Sequence, residues 1–145
     1  MAYRTRTWWM RHALTDRLKN EAFLEAAVTS AFLIAAADGQ ASEQEYGTLL
    51  DRLELLGGVD RDTIDELLTA AARDLDAAGF ESRIARVGEL IGDRDSAEAS
   101  LMLGLAIALA DDDVSDNERE IASQLATVSG LGGVDLDGLI AQIRS

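Results

Sequence analysis

Two short stretches gather most of the residues that could do chemistry: "IAAADGQASEQEY" at positions 34–46 and "IALADDDVSDNER" at positions 107–119. Between them they offer the carboxylates Asp38, Glu45, Asp111, Asp113 and Glu118 and the hydroxyls of Ser42 and Ser115. An all-oxygen donor set of this kind suits hard divalent cations such as magnesium, calcium or manganese. Zinc is disfavoured, because the chain has no cysteine and His12 is its only histidine. Asp111, Asp113 and Ser115 imitate the first, third and fifth positions of an EF-hand loop. The imitation stops there: Asp116 stands where the loop needs glycine and Ala122 where it needs glutamate. Paired carboxylates could also serve as acid and base in a hydrolase. That reading is the weakest, since no nucleophile with a neighbouring base and no phosphate-cradling glycine loop accompanies them.

The plainer reading of the same residues is structural. Aspartate is a common turn residue, and "SEQE" and "SDNE" are both capping boxes, in which a serine hydroxyl caps a helix whose glutamate reaches back to the serine amide. A glutamate engaged as a cap is less available to an ion. The aspartates also follow apolar helical runs, and a helix C-terminus is the electrostatically unfavourable end for a carboxylate.

The elements that must position these residues repeat. Ile34, Ala37, Asp38, Ser42 and Glu45 match Ile107, Ala110, Asp111, Ser115 and Glu118 at a constant offset of 73, and "GGVDRDTI" at 57–64 aligns with "GGVDLDGL" at 132–139 after a two-residue insertion. An internal duplication is the simplest account. Each half reads as helix, tight acidic loop, helix. Apolar stripes run through Phe23, Ala27, Ala31, Ile34 and Ala35, then Leu49, Leu50, Leu53 and Leu56, and in the second half through Leu101, Leu105, Ala108 and Leu109, then Ile121, Leu125 and Val128. Ile64, Leu67, Leu68, Ala71 and Leu75 mark a connecting helix, and Ile84, Val87 and Leu90 a shorter one. The pairs Gly57–Gly58 and Gly132–Gly133 read as helix stops.

The chain lacks proline and has 5% aromatic and 48% hydrophobic residues over 145 positions, which points to one folded all-α domain. The expected architecture is a bundle of about seven or eight helices built from two pseudo-symmetric hairpins. Residues 1–20 form a basic segment and 21–145 the helical domain.

The net charge of −14 repels nucleic acid and favours cations and basic protein partners. The first twenty residues run the other way, with five basic side chains against Asp16 alone. This start, which includes Arg4, Arg6, Trp8 and Trp9, suits docking on the acidic body of the chain itself, favoured because charges within one chain meet first. A membrane surface or a partner is the alternative. No stretch is long and apolar enough to span a bilayer, and a cytoplasmic protein is the default expectation.

The twofold pattern of Ala-Asp-Gly-x-x-Ser-x-x-Glu type, in "AAADGQASEQE" and "ALADDDVSDNERE", resembles the tellurite-resistance TerB-like family, whose domain also occurs in certain membrane-bound DnaJ-type co-chaperones. The resemblance covers about residue 23 to the C-terminus. It implies an all-helical, non-enzymatic module of two hairpins. Its acidic face would bind a divalent metal through Asp38, Glu45, Asp111 and Glu118, and it would work in stress-response protein complexes near the inner membrane. "DDD" at 111–113 departs from the family's usual Asp-Gly. Without a thiol, the chain is not suited to reducing tellurite itself. A metal-independent interaction scaffold is the competing function.

Overall fold

The computed structural model describes residues 20–38, 43–55, 59–108, 114–133 and 135–144. They form six helices: α1 (Glu21–Ala35), α2 (Glu43–Leu55), α3 (Arg61–Leu90), α4 (Arg94–Ala108), α5 (Asp116–Val128) and α6 (Leu136–Arg144). No strand occurs among the described residues. The basic segment with Arg4, Arg6, Trp8, Trp9 and His12 lies outside them, as do Gly57 and Gly58.

Among the described residues there are six helices where seven or eight are expected along the whole chain; the expected N-terminal helix lies outside them, and one residue in α3 accounts for one further merger. Gly79 adopts φ 83° and ψ 174°, a backbone conformation essentially confined to glycine, so α3 is two helical stretches joined without a loop. The expected connecting helix and the shorter helix around Ile84 are these two stretches. The Arg83 guanidinium donates to Asp74 at 3.0 Å, joining the two sides of the break.

α1 and α4 form the centre. The sequence suggests one apolar stripe on each, but both are buried almost all round: every residue from Ala26 to Ile34 and from Ala99 to Ala108 is buried, including Thr29, Ser30 and Ser100. The local composition accounts for this, because a helix with few charges has no polar face to offer water. The first charge-bearing residues lie at the ends, Glu21 and Glu25 on α1 and Arg94, Asp95 and Glu98 on α4. The two helices pack closely, and a Cβ on Gly104 would lie 2.9 Å from Ser30 Cβ and 3.2 Å from the Ala31 backbone nitrogen. α3 covers α1 with Ile64, Leu68, Ala71, Ile84 and Val87. α2 adds Leu49, Leu50 and Leu53, and α5 adds Ile121, Ala122, Leu125 and Ala126. Burying each large side chain contributes about 1.5–3 kcal/mol. Val128, expected on the α5 stripe, is instead 39% exposed.

Capping residues fix where the helices begin. Asn20 accepts hydrogen bonds from the Ala22 and Phe23 amides at 2.9 and 3.2 Å, and Asp93 accepts from the Ser96 amide at 2.9 Å. α5 stops at Gly130, φ 81°, and not at Gly132: the Leu131 amide reaches back to the Ala126 carbonyl at 2.7 Å and the Gly130 amide to that of Thr127 at 3.2 Å. This pair of bonds is a Schellman motif, and it drives Leu131 into the core at 1% exposure.

Candidate functional site

The flanks of the two acidic bends meet. α1 ends in a tightened turn, with Ala36 N–H on the Phe32 carbonyl and Ala37 N–H on that of Ile34, and this turn delivers Asp38 to the surface. There the Ser115 hydroxyl lies 2.9 Å from Asp38 Oδ2 and 3.1 Å from Oδ1, and the Asn117 side-chain amide donates to Oδ1 at 2.9 Å. Residues 77 and 79 positions apart in sequence are thereby joined.

Ser115 is also the N-cap of α5. Its Oγ accepts the Glu118 amide at 3.0 Å while Glu118 Oε1 accepts the Ser115 amide at 2.9 Å, the capping box expected from "SDNE". One hydroxyl therefore does two jobs: its hydrogen goes to Asp38 and a lone pair goes to the helix.

This arrangement explains a carboxylate placed just beyond a helix C-terminus. The carbonyls at the end of α1 disfavour Asp38, but the same carboxylate faces the first turn of α5, where the helix dipole and free N–H groups favour negative charge. The corresponding end of α4 is answered differently. Arg52, on α2 of the first half, donates from Nη1 to the Ile107 carbonyl at 2.8 Å, so a guanidinium stands at that terminus. Neither Asn117 nor Arg52 is conspicuous in the sequence. Asn117 is a polar residue on the first turn of a capped helix, and Arg52 lies 55 positions from its partner.

Of the five carboxylates expected to hold a metal, Asp38 and Glu118 are brought to one corner through Ser115. Asp111, Asp113 and the side chain of Glu45 lie outside the described residues, and so does Ser42. Among the described residues no group of three or more His, Cys, Asp or Glu side chains could hold a metal ion. The two carboxylates differ in availability. Asp38 is exposed, and among the described residues its hydrogen bonds come from two neutral side chains, Ser115 and Asn117. Glu118 already has one oxygen on a backbone amide.

α2, which follows the first bend, is anchored by Tyr46. Its hydroxyl lies 2.7 Å from Asp65 Oδ1 and 2.7 Å from Thr69 Oγ1, both on α3. Partial burial, with the neighbouring Asp65 carboxylate adding to it, pushes the phenol above its ordinary value; the bond to Thr69 works the other way.

An all-helical bundle with two acidic bends brought together by their flanks is the class that fold and site define. The family model described as tellurite resistance protein TerB matches residues 14–139. The chain belongs to that family. No curated protein and no solved structure matches it. Among the described residues, no helix is long and apolar enough to cross a membrane.

Proposed function

We propose that the chain is a non-enzymatic, tellurite-resistance-type helical module that binds a divalent cation at the corner where Asp38 meets the start of α5, and through that corner engages protein partners in a stress response. One observation carries the reading: the Asp38 carboxylate is held in place across the two halves by Ser115 and Asn117. Neutral donors that orient an exposed carboxylate without neutralising it are what an oxygen-ligated ion site requires of its surroundings. Asp38, Asp111 and Asp113 would be the ligands, with Glu45 and Glu118 shared between cap and ion. Magnesium, calcium or manganese fits such donors. The ion would supply charge neutralisation at the two bends.

Thermal unfolding in each ion and in chelator tests the proposal. An ion at 100 times its dissociation constant should add about 2.7 kcal/mol of stability, or roughly 5–10 °C for a chain of this size. Asp38→Asn combined with Asp111→Asn should abolish the shift. A response that survives this double variant would show that the ligands are misassigned.

The engagement of Glu118 as a cap favours a second reading, a metal-independent scaffold that recruits a basic protein. Its signature is a partner whose affinity falls steeply with salt and ignores chelator.

A further inference from the structure

α5 flanks the central helices and meets the core through a short apolar face. It buries Ile121, Ala122, Leu125 and Ala126, whereas α1 and α4 bury eleven residues each. Polar ties hold both of its ends. Arg94 donates to the Gly130 carbonyl at 3.2 Å just past the C-terminus, and Ser115 and Asn117 reach Asp38 at the N-terminus. The Asp38 tie differs in kind, because the hydroxyl it fixes is the one that caps α5. Turning Ser115 away from Asp38 disturbs the cap, and losing the cap frees the first turn.

We propose that Asp38, Ser115 and Asn117 form a latch: the docking of α5 on the first half is governed by the Asp38 carboxylate, and Asn117 is its positioning residue. The opening unit is α5, with the Asp38 contact as its release point. Linkage makes the latch reciprocal. Any ligand that binds Asp38 better in the latched geometry holds α5 down by the same factor; that this ligand is a divalent cation rests on the function proposed above.

Hydrogen exchange read by mass spectrometry on the full chain tests the latch. In chelator, Asn117→Ala and Asp38→Ala should each speed exchange over residues 119–128 by about fivefold, the effect of losing a solvent-exposed, charge-assisted hydrogen bond, and leave residues 97–108 unchanged. Alanine is the better helix former, so propensity alone would slow exchange in Asn117→Ala. No acceleration over 119–128, or equal acceleration in both segments, overturns the latch. Calcium should then slow exchange over 119–128 in the unmodified chain more than in Asn117→Ala. A calcium-induced rise in melting temperature without that slowing overturns the coupling. If no ion raises the melting temperature while the chelator result stands, the cation reading fails and the latch survives.

Discussion

Replacing Gly104 by alanine should destabilise the protein, although alanine is the better helix former. The added Cβ would sit 2.9 Å from Ser30 Cβ and 3.2 Å from the Ala31 backbone nitrogen. Carbon atoms in comfortable contact are about 3.5–4.0 Å apart, and neither neighbour can rotate away, one being a Cβ and the other main chain. Relief requires α1 and α4 to separate by several tenths of an ångström along their shared buried face, loosening contacts on either side. Overpacking of this kind costs about 1–3 kcal/mol, against about 1 kcal/mol gained in helix propensity. The net loss is about 1 kcal/mol. Gly47 on α2 is the control, because nothing lies within 4 Å of its added Cβ, and Gly47→Ala should gain about 0.5–1 kcal/mol. The two variants should therefore differ by about 2 kcal/mol, roughly 6 °C in melting temperature for a domain of this length. Chemical denaturation with a common slope gives the same difference directly. A Gly104→Ala protein that melts at or above Gly47→Ala would refute the close approach of the two central helices.

Gly79→Ala tests the break in α3: open space surrounds the position, so backbone strain at φ 83° alone should cost about 1–3 kcal/mol, and an unchanged denaturation midpoint would mean the break is absent. Tyr46 should ionise above the ordinary phenol value of 10.0. Because its folded-state value is raised, its contribution to stability is fully present below pH 10 and is lost as pH rises through the folded value. Phenolate absorbance in a Tyr3→Phe background, folded against denaturant-unfolded, reads this directly, and coincident titrations would contradict it.

The helical class and the α5 capping box are legible because each depends on residues a few positions apart. Ser115 and Glu118 declare their bond by spacing alone. What escaped depends on distance or on competition between partners. The stripes on α1 and α4 were real, but a 3.6-residue period marks only the face that is most apolar, and it cannot tell a surface helix from one enclosed on all sides. Val128 satisfies the α5 period yet stays 39% exposed at the last turn, alongside Gly88 of α3. Gly132 stood in the repeat as a stop, while Gly130, outside the aligned motif, takes the left-handed conformation. Asp38 stands out in the sequence by its charge. Its partner Asn117 carries none, and nothing in the chain couples the two until the fold does.

The ties between Asp38 and Ser115 and between Arg52 and the Ile107 carbonyl run in opposite senses: the first half lends the second a carboxylate for its helix start and a guanidinium for its helix end. A polypeptide shortened to the second half would keep its own capping box but lose both of these neighbours. Repetition in the sequence has thus not produced two interchangeable parts. The halves have specialised as host and guest, and a substitution at position 38 or 52 is felt at a residue more than fifty positions further along the chain.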